Sequence, residues 1–211
     1  MILKAKYNKN EMGISMNHLY PVIGYSKCNK TGLTEYCIYN HGFISWITID
    51  YFTVISDSVK NYTKTLNEDS IKYFYYGIDQ KLIDNIYLEN EQSADSIFTL
   101  ETILSDIIYD EMTINDITNS IIESGFKGDA IEFQLKAFFR KASKNDIINL
   151  SKVIFNNISD LDSYIMEMLV ENLKKHNEFE VECLLTNIYV SPACSEETRI
   201  IIDDYLSQVY R

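Results

Sequence analysis

The chain has 211 residues and a formal net charge of −12, with 31 Asp and Glu against 19 Lys and Arg. A hydrophobic fraction of 46% and a charged fraction of 24% are those of a folded globule and exclude a disordered chain. Such acidity also argues against nucleic acid as a partner, because phosphate binding depends on Lys and Arg.

The opening residues Met1-Ile-Leu-Lys-Ala-Lys6 lead into polar sequence, without the apolar run and small-residue cleavage site of a secretory signal. No stretch approaches the ~18 apolar residues of a membrane-spanning helix. A cytoplasmic protein with no membrane partner is expected, its four cysteines (Cys28, Cys37, Cys183 and Cys194) reduced. Cys28 and Cys37 flank the turn Asn29-Lys-Thr-Gly32, so they are expected to face each other across a hairpin.

The first 58 residues hold four of the seven glycines and one of the two prolines, and they read as short strands. These are Ile2–Tyr7, His18–Tyr25, Glu35–Tyr39, Phe43–Ile49 and Phe52–Ile55, each rich in β-branched and aromatic residues. Turns about every ten residues suggest a small antiparallel barrel. Residues 56–92 carry weaker signals, and Asp69–Gly77 and Asp79–Leu88 are each compatible with a helix.

Beyond that the period is helical. Ile97, Leu100, Leu104 and Ile107 form one stripe, widened by Ile103 and Ile108. Thr113 precedes Asp116 by three residues, as in a capping box, ahead of Ile114, Ile117 and Ile121, and Gly125 closes that helix. Ile131, Leu135, Phe138 and Ala142 mark the next. Ser143 precedes Asp146 by three and Ser159 precedes Asp162 by three, each before a further apolar stripe. Leu184, Leu185 and Ile188 follow, Ser191-Pro192 breaks that helix, and Ile201, Ile202, Tyr205 and Val209 mark the last. From Ser143 to Ser195 the helices come in pairs spaced roughly 34 residues apart, with Leu150 and Leu184 in comparable places. A HEAT- or TPR-like stack and an irregular bundle both fit. The expected fold is α+β, with an antiparallel barrel over residues 1–58 and a helical array over 59–211.

Chemistry has few candidates. The three histidines (His18, His41 and His176) sit ahead of a strand, in a turn and at a helix end, and no motif places one beside a nucleophile. There is no Cys-x-x-Cys, His-x-x-x-His or calcium loop, no glycine-rich phosphate cradle and no nucleophile elbow. No catalytic residue, metal or cofactor is therefore assigned, and a non-enzymatic role is expected.

Charge, by contrast, is segregated. Residues 1–58 hold five Lys and four acids, and the remainder holds 14 Lys and Arg against 27 acids. Between residues 82 and 126 stand Asp84, Glu89, Glu91, Asp95, Glu101, Asp106, Asp110, Glu111, Asp116 and Glu123, without a single Lys or Arg. Carboxylates that are not cancelled locally build a field that steers a basic protein, so these ten are the candidate partner-binding residues. Lys136, Arg140, Lys141, Lys144 and Lys152 follow directly and are available to pair with them inside the fold.

The segment from His18 to Ile55 resembles bacterial SH3-like small barrels. The resemblance lies in Tyr20-Pro-Val-Ile-Gly24, Tyr36-Cys-Ile-Tyr-Asn40 and Gly42-Phe-Ile-Ser-Trp-Ile-Thr-Ile49, ahead of Phe52-Thr-Val-Ile55. It implies a binding or scaffolding module. In type, a small acidic chain with such a barrel and a helical array is similar to the immunity proteins of contact-dependent growth-inhibition toxins. That likeness implies tight binding to a cognate toxin, commonly a basic nuclease, with its active site blocked. The alternative expectation is a non-catalytic adaptor or regulator, including a phage-encoded nucleic-acid mimic. The sequence does not set the oligomeric state.

Overall fold

β2 (Leu19–Cys28) is the strand around which the sheet is built. In this computed structural model, which describes residues 1–9, 14–40, 42–66, 70–87, 91–126 and 130–209, one edge of β2 pairs with β3 (Thr34–Asn40). Its other edge pairs first with β1 (Ile2–Ala5), through Leu19–Pro21, and then with β7 (Ser70–Tyr75), through Gly24–Cys28. β4 (Phe43–Thr48) continues from β3, and β5 (Phe52–Ser56) from β1 after a 3-10 turn at Ile49–Tyr51. The strand order is β4-β3-β2-β1-β5, with β6 (Tyr62–Leu66) on the far side of β7, and every pairing is antiparallel.

Gly24 is needed where β2 changes partners. A Cβ there would lie 2.7 Å from the Phe74 ring and 2.8 Å from the Tyr73 carbonyl oxygen. With that side open, Phe74 meets Trp46 edge-on, at 6.1 Å between ring centres. The core of the sheet is Leu3, Ile14, Tyr20, Val22, Ile38, Ile47 and Phe52, all buried. Tyr20 packs edge-to-face on Phe52, and Tyr62 reaches in to donate to the Val22 carbonyl at 2.6 Å.

The chain forms two compact units. Met1–Thr113 joins with Gly128–Ala137 in the first, and Ile114–Lys127 joins with Phe138–Arg211 in the second. The β region thus runs past residue 58 to Tyr75, and the first helices belong with it. The helix expected over Asp69–Gly77 is instead strand β7 from Ser70, while Asp69 lies outside the described residues. Its aromatic run alternates faces, as β pairing with Gly24–Cys28 demands. Cys28 and Cys37 do not face each other. Cys37 stands opposite Gly24 in the β2–β3 register, and Cys28 lies past Lys27, the last residue of β2 in that register.

In the first unit α1 (Gln80–Ile86) starts at Asp79, whose carboxylate accepts from the Leu82 N–H at 2.7 Å. It packs on α2 (Glu91–Glu111), which in turn lies on β1 and β2. Leu100, Leu104, Ile107 and Ile108 are fully buried and hold α2 there. Each contributes about 1.5–3 kcal/mol of burial.

In the second unit α3 (Ile114–Glu123) packs on α5 (Lys144–Phe155), and α5 on α7 (Phe179–Val190). α6 (Ser163–Leu173) packs on α8 (Glu196–Val209), and both contact α7. α5 and α7 begin at Lys144 and Phe179, 35 residues apart, and α6 and α8 at Ser163 and Glu196, 33 apart. The helix starts thus recur at close to the expected spacing, with Leu150 and Leu184 both buried. Ser143 caps α5 through the expected box with Asp146. α6 differs from expectation, because its cap is Asp162 itself, whose carboxylate takes the Ile165 N–H at 2.8 Å. Ser159 lies in a preceding 3-10 turn. α7 ends at Val190, where Arg199 of α8 donates to the carbonyls of Tyr189 and Ser191, both at 3.1 Å. α4 (Ala130–Lys141) buries Ile131, Leu135 and Phe138 as its stripe predicts.

Candidate functional site

The packing of α2 decides which of the ten expected acids face outward. With Leu100, Leu104 and Ile107 against the sheet, helical spacing places Asp95, Phe98, Thr99, Thr102, Asp106 and Asp110 together on another face. Asp95 and Asp110 are exposed and Asp106 half-buried. Phe98, one turn after Asp95, is 69% exposed. The threonine hydroxyls are turned back onto the helix, Thr99 to the Asp95 carbonyl at 2.8 Å and Thr102 to that of Phe98 at 3.0 Å. The face therefore presents carboxylates along its length and the Phe98 ring toward its N-terminal end.

Asp110 also accepts from the Tyr75 hydroxyl at 3.2 Å. Burial raises the Tyr75 phenol most, against a hydrogen bond from the Asn61 amide, and the carboxylates of Asp110 and Asp106 add to the rise. Together they push it up to about 12. Tyr75 stays a neutral donor at any physiological pH, fixing Asp110 without cancelling its charge.

The other expected residues divide. Asp84 is exposed on α1 and accepts from Gln80 at 2.8 Å. Glu101 is half-buried and faces Lys136 at 3.7 Å. Burial, with Glu132 beside it, pushes its carboxyl above the usual range in spite of that lysine. Glu111 has a side chain only 8% exposed, 4.0 Å from the Met1 amino group, and it accepts from Ser56. Both residues serve the first unit internally. Asp116 and Glu123 are exposed on α3, in the second unit. Glu89 lies outside the described residues, as does the side chain of Glu91, whose backbone starts α2. The expected single acidic surface is thus divided, and its part on α2 is Asp95, Asp106 and Asp110.

Of the basic residues downstream, Lys136 reaches an α2 acid. Lys144 and Lys152 pair instead with Glu178 at 3.0 Å and Glu180 at 3.3 Å, inside the second unit. Among the histidines, His18 is buried in the first unit, His41 lies outside the described residues, and His176 stands 3.8 Å from Glu178 in the second. Among the described residues no group of three or more His, Cys, Asp or Glu is placed to hold a metal ion, and no helix is long and apolar enough to cross a membrane.

Sequence reasoning passed over two features. Phe98 falls off the apolar stripe of its own helix, a signal that was present at that spacing. Phe155 and Phe179 flank an open, largely apolar cleft of about 190 Å³ between α5 and α7, floored by Cys183. No family model, no curated protein and no solved structure matches this chain.

Proposed function

We propose that this protein is a non-catalytic binding protein that captures a basic protein partner, in the manner of an immunity protein neutralising a bacterial toxin. The observation that carries the reading is the outward face of α2, where Asp95, Asp106 and Asp110 share one side of the helix with the exposed ring of Phe98. No Lys or Arg occurs anywhere from residue 82 to residue 126. An acidic face raises the encounter rate with a basic surface by roughly 10-fold or more at low salt. A solvent-exposed aromatic on that face is the kind of anchor that then sets the lifetime of a complex. The strand order β4-β3-β2-β1-β5, with a 3-10 turn before the last strand, supports treating the strands of the first unit as a small-barrel module.

The test is capture from the native host at low salt, with the triple variant Asp95→Asn, Asp106→Asn, Asp110→Asn and the single variant Phe98→Ala as controls. A basic protein is expected on the wild type, released as salt rises. The triple variant should slow association about 10-fold with little change in dissociation. Phe98→Ala should speed dissociation by roughly 30-fold, which corresponds to ~2 kcal/mol. If that protein is a toxin, co-expression with this chain restores growth of cells that it arrests. Capture of an acidic protein, or equal binding by both variants, would refute the reading.

A further inference from the structure

Among the described residues three strands, β4, β5 and β6, have a neighbour on one side only. Free edges offer unpaired backbone N–H and C=O groups to any extended chain, and folds usually blunt them with charge, bulges or a cover. β6 carries the exposed Lys64 at its centre. β5 is interrupted by an irregularity in its register opposite Ile2 and Leu3. β4 is treated differently.

In the β3–β4 hairpin Asn40 and Phe43 are partners, with two residues between them. In so short a connection the flanking pair exchanges its own hydrogen bonds, so Ser45 and Ile47 also turn their backbone groups toward β3. The alternate residues Ile44, Trp46 and Thr48 turn theirs outward. The side chain of Tyr87, at the end of α1, bears this out. Its hydroxyl accepts from the Ile44 N–H at 3.0 Å and donates to the Ile44 carbonyl at 3.2 Å. One phenol thus does for Ile44 what a residue on a neighbouring strand would do. Further along, among the described residues, no strand pairs with Trp46 or Thr48 on that side.

The surroundings specify the occupant. Asp84 stands one helical turn before Tyr87, at the Ile44 end. Glu35 pairs in register with Thr48, and Asp50 follows two residues after it, at the other end. Lys72 is placed over the strand, 5.4 Å from the centre of the Trp46 ring. The outer side of the strand carries Trp46, the inner side the buried Ile47, and Phe43 at the hairpin end is 65% exposed. We infer that the β4 edge beyond Tyr87 takes an extended segment of the partner as an added strand, apolar on one side and basic at its ends. This deepens the reading of the protein as a binder of a basic partner, and rests on it.

Thr48→Pro is the discriminating variant. Thr48 has φ −75° and ψ 155°, which proline adopts without strain, and its N–H is not used in the β3–β4 ladder. The probe is a capped octapeptide of alternating lysine and valine, titrated onto the intact ¹⁵N-labelled protein. Saturable shifts of the Trp46 and Thr48 amides are expected, weakened at least 10-fold by Thr48→Pro. Two further probes, N-methylated on alternate residues in one register or the other, are tested on the wild type, so the result stands even if the variant folds poorly. Strand addition requires that one register lose binding and the other keep it. Equal binding by both methylated probes, shifts confined to α2, or no binding at millimolar peptide each overturn the edge proposal. None of these touches the α2 reading, which fails on capture of an acidic protein or if the triple variant and Phe98→Ala both bind the native partner as the wild type does.

Discussion

Gly24→Ala concentrates a large effect in a single methyl group. The added Cβ would meet the Phe74 ring at 2.7 Å and the Tyr73 carbonyl oxygen at 2.8 Å, where ordinary contact begins near 3.4 Å. Neither atom can retreat easily. The carbonyl belongs to β7, held in register by the pairs Gly24–Phe74 and Tyr25–Tyr73. The ring is braced edge-on by Trp46, and Tyr73 is stacked on Tyr25 with ring centres 4.4 Å apart. Overpacking of a core costs about 1–3 kcal/mol, and two rigid contacts at once place this variant at ~3 kcal/mol. Urea unfolding followed by the fluorescence of Trp46, the sole tryptophan, reads the same sheet. With a slope of ~2 kcal/mol/M, the midpoint should fall by roughly 1.5 M at unchanged slope. In the double variant with Phe74→Leu the ring contact is gone and only the carbonyl clash remains. Part of the loss should then be recovered, giving a coupling of about 1 kcal/mol. A midpoint within ~0.3 M of wild type for Gly24→Ala would refute the account of why β2 carries glycine where it changes partners.

Two further outcomes follow from the capping box and from the tyrosine beneath α2. Ser143→Ala should cost about 1 kcal/mol by stripping the start of α5 of its cap. The same box holds the Asp146 carboxyl below the usual range through hydrogen bonds from Ser143. A folded-state value below the unfolded one means stabilisation that is present above pH ~4 and lost as pH falls through the folded value. The difference between wild type and Ser143→Ala in thermal unfolding should accordingly shrink in acid, and a constant difference from pH 7 to pH 2.5 would contradict the assignment. Asp110→Asn should bring the titration of Tyr75, held up to about 12, back toward the ordinary phenol range, because a hydrogen-bonded negative charge is removed. NMR of ¹³Cζ-labelled tyrosine reads this directly, and an unmoved midpoint would mean that Asp110 does not bear on Tyr75.

Much of the fold was legible from local pattern. Strands β1 to β5 and helices α2 to α8 announce themselves because each carries its own period. Strand β7 did not, since Tyr73-Phe-Tyr-Tyr76 is aromatic at every position and has no period to read, and β6 was not singled out either. Only the exposed edge of β2 beyond Pro21 makes that run a strand. The cap of α6 was misplaced because Ser159 and Asp162 both suit a cap, and the 3-10 turn between them consumes the first.

The sequence by itself determined the acidity of residues 82–126, the absence of any Lys or Arg there, and the apolar stripe that gives α2 one inward side. Those are properties of composition and spacing, which no packing can alter. Tertiary structure alone decided what each carboxylate does. Glu101 is drawn to Lys136 and Glu111 to Ser56 and the Met1 amine because the helix lies on the sheet in one rotation. Asp95, Asp106 and Asp110 are left on the outward side with Phe98 by that same rotation. The role of Tyr87 at the β4 edge is tertiary too, since its partner lies 43 residues away in the chain and no local pattern links a helix end to a distant strand.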